Sequence, residues 1–180
     1  MSDAAIIDEL AVPHRERRAF QRLLAAGARG LPLVLANLDH ANARVRYYCA
    51  RFLDMFLEPE ALSELLKLLD DPDAAVRAAS LHALACDRCK QGACRPDEAL
   101  VLPAAIALMR TDPDAHVRAH AVGLVGLSVH TRPEAVEALR HTQRDDPSPA
   151  VRKKSAWYLP GGPIYRRTTP KPARKPRPAR

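Results

Sequence analysis

The chain has 180 residues, of which 47% are hydrophobic and 4% aromatic, and it carries a formal net charge of +7 at pH 7. This apolar content excludes disorder of the whole chain, and no apolar run approaches the roughly 20 residues of a membrane-spanning helix. The basic excess lies in residues 166–180, which hold seven Lys or Arg and no acid, so the rest of the chain is formally neutral.

The N-terminal segment MSDAAIIDEL is acidic and lacks the basic start and apolar stretch of a secretory signal. We therefore expect a cytoplasmic protein without structural disulfides. The first predicted helix covers about residues 14–26 and ends at Gly27. We expect it to cover the open end of the helices that follow, as terminal helices do in repeat arrays.

Four similar segments follow, each built around a Val-Arg dipeptide: LDHANARVRYY, LDDPDAAVRAA, RTDPDAHVRAH and RDDPSPAVRKK. The valines stand at positions 45, 76, 117 and 151, and this repeat predicts stacked helix–turn–helix units. Every turn offers a good N-cap residue at the same aligned position. These N-cap residues are Asn42, Asp73, Asp114 and Ser148.

The second helix of each unit places apolar or small residues four, seven and eight positions after the valine, which is one face of an α-helix. The residue four positions after the valine is always small, so neighbouring helices can approach closely. This position holds Cys49, Ser80, Ala121 and Ser155. We therefore interpret Cys49 as a small hydrophobic residue of the core.

The pattern D-P-D-x-x-V-R-x-x-A-x-x-A-L, present in DDPDAAVRAASLHAL and TDPDAHVRAHAVGLV, resembles the HEAT-like repeats of the phycobilisome-lyase type. The resemblance covers most of residues 28–159. It implies an all-α fold, an α-α superhelix of about four helix pairs plus an N-terminal capping helix. It also implies that Arg77, Arg118 and Arg152 join neighbouring units by pairing with turn aspartates. Those aspartates are Asp71, Asp112 and Asp146.

The interval between the second and third units is longer than the others and contains CDRCKQGAC. The C-x2-C spacing lets two thiolates bind one tetrahedral ion, and a histidine lies four residues before the first cysteine. One hypothesis is therefore a structural zinc site made by His82, Cys86, Cys89 and Cys94. His116 and His120 are rivals for the histidine ligand, although both are expected at the solvated surface. A thiol-reactive segment and a loop without chemistry are the alternatives.

Prolines at 170, 172, 176 and 178 prevent a helix near the C-terminus, and the basic residues around them could neutralise phosphates without reading sequence. A nucleic-acid-binding role would use the basic residues of the last repeat helix and the tail. These are Arg152, Lys153, Lys154, Arg166, Arg167, Lys171, Arg174, Lys175, Arg177 and Arg180. A solvated, disordered tail without a dedicated partner is the alternative.

We therefore predict a HEAT-like repeat domain over residues 1–160, with a cysteine-rich insertion at about 86–96, and a basic, proline-rich, disordered tail over 161–180. The sequence contains no glycine-rich phosphate loop, nucleophile elbow or His-Glu-x-x-His motif, so we expect no enzyme. The favoured function is a scaffold whose concave face binds a protein partner. The alternative is an accessory protein that binds nucleic acid through the tail. Beyond the possible zinc ion we expect no cofactor.

Overall fold

The computed structural model describes residues 3–85 and 96–170, and every regular element in these ranges is a helix. The α-helices, in chain order, are α1 (Asp3–Ala11), α2 (Glu16–Ala26), α3 (Leu31–Leu35), α4 (Ala43–Leu53), α5 (Pro59–Lys67), α6 (Ala74–Ala85), α7 (Glu98–Thr111), α8 (Ala115–Val125), α9 (Pro133–Asp145), α10 (Pro149–Tyr158) and α11 (Pro163–Thr168). Short 3-10 helices follow α2, α5 and α8, at Gly27–Gly30, Leu68–Asp70 and Gly126–Ser128. The all-α prediction is confirmed.

Four helix pairs, numbered here as units 1 to 4, are formed by α3 with α4, α5 with α6, α7 with α8, and α9 with α10. The second helices pack side by side in the order α4, α6, α8, α10, and they contact one another more extensively than the first helices do. Closer packing along one side bends such an array toward that side. We therefore expect the exposed side of the second helices to be the concave surface of the superhelix, and we call it the inner face.

The N-terminal end has one helix more than the sequence analysis predicted. Helix α2 matches the predicted capping helix, but α1 precedes it and packs against both α2 and α4. Ile7 and Leu10 are only 6% and 0% exposed, so α1 contributes to the core. The signal was present in the sequence, because Ile6, Ile7 and Leu10 follow the three- and four-residue spacing of a helix face.

The C-terminal end also differs from the expectation, because α11 lies inside the segment for which the sequence predicts a disordered tail. Gly161 adopts a φ of +88°, a conformation open mainly to glycine, and this turn redirects the chain after α10. Pro163 then occupies the first turn of α11, where its missing N–H is harmless. The ring of Tyr165 packs against His130 at 4.5 Å, which holds α11 against the fourth unit.

The turn residues cap the second helices largely as predicted. The side chains of Asn42, Asp73 and Asp114 each accept the N–H two residues later, at 2.7–2.9 Å. Ser148 stands at the same N-cap position of α10 in extended conformation, but its side chain makes no capping hydrogen bond. Three of the four predicted caps are thus confirmed as hydrogen-bonded, and the fourth is confirmed in position only.

Each unit is joined to the next by an arginine that forms two hydrogen bonds to an aspartate of the following turn. The pairs are Arg46–Asp71 (2.6 and 2.8 Å), Arg77–Asp112 (2.7 and 3.0 Å) and Arg118–Asp146 (2.8 and 3.1 Å). We call these three pairs the arginine–aspartate ladder. In each pair Nε and Nη2 of the arginine face the two carboxylate oxygens, which is the bidentate geometry that a guanidinium favours.

The same groups also fix the turns within each unit. The remaining Nη1 of each ladder arginine donates to carbonyls of its own turn, as Arg77 does to the carbonyl of Asp71 at 2.7 Å. Each ladder aspartate accepts the N–H two residues later at 2.8–2.9 Å. Burial alone would raise the pKa of Asp71, but hydrogen bonds from Arg46 and from the Asp73 N–H hold that pKa below its usual value.

The ladder is offset by one unit from the arrangement that the family resemblance implied. The three aspartates are those expected, but their partners begin with Arg46, and Arg152 pairs with no carboxylate among the described residues. The reason is directional, because each arginine reaches forward to the next unit and no further unit follows α10 among the described residues. In unit 1 the aspartate position is taken by His40, whose Nδ1 accepts the Asn42 N–H at 3.0 Å.

The predicted small positions lie where the second helices approach one another. Cys49, Ser80, Ala121 and Ser155 are all fully buried. The hydroxyls of Ser80 and Ser155 donate to the carbonyls of Val76 and Val151, at 2.9 and 3.0 Å, so neither leaves an unpaired polar group in the core. Burial raises the pKa of the Cys49 thiol to about 12, which is consistent with the predicted core residue.

Two glycines of unit 3 accommodate side chains from α10 to very different degrees. A Cβ built on Gly126 would lie 2.1 Å from Cδ1 of Tyr158, whereas a Cβ on Gly123 would meet nothing closer than Nζ of Lys154 at 3.7 Å. Only Gly126 is therefore required for close packing of the Tyr158 ring on unit 3.

Loss of one ladder charge should destabilise the fold. Asp146→Asn keeps an oxygen for the Ser148 N–H but leaves Arg118, whose side chain is 8% exposed, without a counter-charge. An unpaired buried charge is costly, so we expect the free energy of unfolding to fall by about 3 kcal/mol in urea denaturation. Asp145→Asn is the control, since the Asp145 carboxylate lies at the surface beside Arg144. Equal losses in the two variants would contradict a special role of the ladder.

The glycine pair gives a second test of the packing. Gly126→Ala should lower the free energy of unfolding by about 1–3 kcal/mol, because the new methyl group displaces the Tyr158 ring. Gly123→Ala should be neutral or stabilising by up to about 1 kcal/mol, since alanine favours a helix and the space is open. Thermal unfolding followed by circular dichroism measures both, and an unchanged Gly126→Ala protein would show that the Tyr158 contact is absent.

Candidate partner-binding face

The inner face carries a cavity of about 260 Å³ that spans units 1 to 3. It is lined by Tyr47, Arg51, Asp54, Ala75, Ala78, Ala79, His82, His116 and His120. The lining comes from α4, α6 and α8, with Asp54 directly after α4. We call this cavity the histidine pocket.

The repeat itself explains why these residues share one surface. Counted from the valine of each unit, most of them stand one position before or two, three or six positions after it. On a helix these positions point away from the buried valine, so they lie together on the inner side, where Arg51, Ala75, His82 and His116 are exposed to solvent. In α6 the residues Ala75, Ala78 and Ala79 are too short to fill the space between the longer side chains of α4 and α8, and they form the floor of the pocket.

An arginine is held at the rim by aromatic rings. The guanidinium carbon of Arg51 lies 5.0 Å from the ring centre of Phe20, 5.7 Å from that of Tyr47 and 6.0 Å from that of Tyr48. Such contacts favour a cation and restrict its rotamers without neutralising it. The pocket therefore has a fixed positive charge at the edge formed by α4. The sequence analysis did not single out Arg51, although its place six residues after Val45 aligns it with His82.

Two histidines of α8 are in direct contact. The Nε2 atoms of His116 and His120, one helical turn apart, are separated by 3.2 Å, so one ring donates a hydrogen bond and the other accepts it. The ring of His82 stands edge-on to that of His120, with 5.9 Å between ring centres. A row of three imidazoles thus crosses from α6 to α8 along one wall of the pocket.

His120 is not the solvated surface histidine that the sequence analysis expected. It is half-buried, and burial, together with the positive potential of His116, Lys154 and His82, lowers its pKa to about 4. Its imidazole is therefore neutral at pH 7. The fault in the expectation is physical, because the sequence spacing cannot show that α10 lies over this part of α8.

A carboxylate with an unused oxygen lies at the other end of the pocket. Oδ2 of Asp54 is 3.4 Å from Nε2 of His82. Oδ1 of Asp54 is buried and accepts no hydrogen bond from the described residues. A buried oxygen in this state is destabilising unless some donor reaches it. Of the two carboxylate oxygens, Oδ2 is the one that faces His82 in the pocket.

Only one of the four proposed zinc ligands, His82, lies among the described residues. The other three, Cys86, Cys89 and Cys94, lie outside the described residues, while His82 lines the histidine pocket beside Asp54. Within residues 3–85 and 96–170, no group of three or more His, Cys, Asp or Glu side chains is arranged to hold a metal ion. The zinc site stays a prediction, and the described residues lend it no support.

The basic residues predicted for nucleic acid are dispersed. Lys154 is half-buried between α8 and α10, where its Nζ donates to the carbonyl of Ala119 at 2.6 Å and burial lowers its pKa. Arg152 donates a hydrogen bond to a carbonyl of its own turn. Lys153 is exposed on α10, and Arg166 and Arg167 are exposed on α11. The others, Lys171, Arg174, Lys175, Arg177 and Arg180, lie outside the described residues.

Comparison with known proteins supports the architecture. Residues 31–99, from α3 to the start of α7, match the family model of HEAT repeats. Together with the all-helical stack, this match supports an α-α superhelix with HEAT-like repeats over residues 31–99, and it does not single out the phycobilisome-lyase type. A search of curated proteins found no match. No described helix has the length and apolar character needed to cross a membrane.

The low pKa of His120 predicts a pH-dependent stability. In the unfolded chain a histidine titrates near its ordinary pKa of about 6.5, whereas in the folded protein His120 titrates near 4. Between these values the unfolded state binds more protons, so this residue should lower stability as the pH falls from about 6.5 to 4. His120→Gln should flatten the dependence in urea denaturation across this range. His141→Gln, at an exposed site on α9, is the control. A proton NMR titration of His120 with a midpoint near 6.5 would contradict the prediction.

Proposed function

We propose that this protein is a non-catalytic scaffold that binds a protein partner along its inner face, with the histidine pocket as the central contact. One observation carries the proposal. Three consecutive second helices build a cavity whose lining residues Arg51, Ala75, His82 and His116 are exposed to solvent. HEAT repeats commonly serve as scaffolds for protein interactions, and the matched residues 31–99 include α4 and α6.

The chemistry of the pocket favours a protein over a polyanion. It combines one guanidinium, one carboxylate, a phenol and three imidazoles, of which His120 is neutral at pH 7. Binding of phosphates requires an accumulation of positive charge, whereas this mixture suits polar protein side chains with a hydrogen-bond donor among them. The Asp54 carboxylate, which lines the pocket beside His82, is the acceptor for such a donor.

The same residues favour binding over catalysis. The Asp54–His82 pair resembles the orienting half of an acid–base dyad, with 3.4 Å between Oδ2 and Nε2. Covalent catalysis would also need a side-chain nucleophile within hydrogen-bond reach of the imidazole. The described lining of the pocket contains no serine, threonine, cysteine or lysine that would serve. We therefore assign the histidines to recognition of the partner.

A matched pair of bulky substitutions tests this function. Ala75→Trp places an indole on the floor of the pocket, while Ser63→Trp places the same group on an exposed position of α5 in the first-helix row. The full-length variants would be immobilised and incubated with native cell extract, with and without nuclease. We expect the proteins retained by wild type to be retained by Ser63→Trp and lost from Ala75→Trp, without any effect of nuclease.

Two outcomes would overturn the proposal. Retention of the same proteins by Ala75→Trp would place the contact elsewhere on the molecule. Release by nuclease would favour the alternative in which the basic tail binds nucleic acid. Circular dichroism of both variants confirms that any loss reflects the surface and not unfolding.

A further inference from the structure

The ladder ends at Arg152 with an arginine that is oriented like the others. Its Nη1 donates to the carbonyls of Asp146 and Pro147, at 2.5 and 3.2 Å, as the Nη1 of Arg118 does to Asp112 and Pro113. In the ladder pairs the opposite edge of the guanidinium binds the next aspartate. For Arg152 that edge, with Nε and Nη2, meets no carboxylate among the described residues. The turn has therefore already oriented a bidentate donor.

The surface around Arg152 is the one that another unit covers elsewhere in the array. Five residues after the valine, Ala50, Leu81 and Val122 are fully buried by the following unit, whereas Ala156 is half-buried. Lys153 is exposed, and Trp157 retains 38% of its accessible surface. Both stand at register positions of the inner side, like Tyr47 and His82, and they border the surface around Arg152 and Ala156. We call Arg152, Lys153, Ala156 and Trp157 the end face.

Helix α11 leaves the arginine side of the end face open. The chain turns at Gly161 and Gly162, close to the carbonyls of Ala156 and Trp157, and α11 then packs beside His130. These contacts lie at the C-terminal end of α10. Arg152 stands in the first turn of the same helix, at the opposite end.

We propose that the end face binds an aspartate-bearing turn of another protein, with the aspartate accepting hydrogen bonds from Nε and Nη2 of Arg152. The ladder supplies the reason for a carboxylate, because three guanidinium groups with the same turn contacts all hold aspartates at 2.6–3.1 Å. The positive charge of Lys153 and the apolar surface of Trp157 extend the contact. This surface is separate from the histidine pocket, so the two proposals succeed or fail independently.

A second copy of this chain is a poor occupant. Head-to-tail stacking would bring the first turn of one copy to the end face of another, and that turn carries His40 where the other turns carry the ladder aspartate. Helices α1 and α2 also cover that end of the stack. We therefore commit to an aspartate of a different protein as the occupant.

The chain holds one tryptophan, so the emission of Trp157 reports directly on the end face. The probe is a synthetic peptide, LMRTDPDAHVRA, which copies residues 108–119 and contains the Asp112 turn but no tryptophan or tyrosine. Titration into the full-length protein should shift the Trp157 emission saturably to shorter wavelength. Replacement of the peptide aspartate that copies Asp112 by asparagine should weaken the apparent affinity at least fivefold. Arg152→Lys in the protein should weaken it to the same extent. Arg152→Lys keeps the charge but lacks the planar pair of donors.

Arg140→Gln is the matched control, because it removes one positive charge from an exposed position of α9 in the same unit. It should bind the peptide like wild type. The proposal is overturned if the emission does not shift up to about 5 mM peptide, a range that covers a Kd near 1 mM, or if the asparagine peptide binds equally well. A larger shift with a short oligothymidine or inorganic phosphate than with the peptide would assign the end face to phosphates and also overturn it. Unchanged thermal unfolding of Arg152→Lys shows that the fold is kept.

Discussion

The bidentate contact between an arginine of one unit and a turn aspartate of the next is the interaction on which the rest of the structure depends. The side chains of the three pairs are only 2–11% exposed. A buried ion pair does not guarantee net stability, because desolvation offsets much of the attraction. The pair does, however, disfavour other stackings of the units, because a shift of one unit against its neighbour would leave both charges buried and unpaired. The ladder therefore fixes the spacing of units, while burial of residues such as Val76 and Val117 supplies the hydrophobic stabilisation.

Because the ladder fixes the spacing of units and the core stabilises them, the residues left for function are those that belong to neither. On each second helix the valine and the small residue four positions later face the core, and the arginine next to the valine is committed to the ladder. The exposed residues of the inner side take part in neither the core nor the ladder, so they can vary without loss of the fold. In units 1 to 3 that side holds the histidine pocket. In unit 4 the equivalent positions carry Lys154 and Trp157, and Lys154 packs on α8 instead of opening a second cavity.

The sequence predicted the repeated parts of the molecule better than the parts that break the repeat. The repeat period, the N-cap residues and the small core positions could be predicted from the sequence, because each follows a local rule that recurs in all four units. The caps at Asp73 and Asp114 are examples. Helix α1 and helix α11 occur once and lie outside the repeat, so no second example reinforced them. To predict which arginine pairs with which aspartate, one must know the direction in which each arginine side chain points. That direction depends on how units stack, and no spacing along the chain encodes it.

The histidine pocket shows the same limit. His82 was singled out for its distance from Cys86 along the chain, but the structure places its ring beside His120 and its Nε2 near Asp54. These neighbours lie 38 and 28 positions away, and only the stacking of second helices brings them together. Positions relative to the valine could have grouped them, because His82 and Arg51 share one register position and His120 lies on the same side of its helix. In a repeat array, alignment between units is a better guide to a shared surface than proximity within one.

A stack held by directed polar contacts also has two chemically different ends. At the N-terminal end His40 satisfies its own turn, and α1 and α2 cover the first unit. At the C-terminal end the outer side of α9 is polar, with Glu137, Arg140 and His141 exposed, whereas Trp157 is exposed on α10. Arg152 keeps the turn contacts that orient each ladder arginine, because those contacts lie within its own unit and do not depend on a following one.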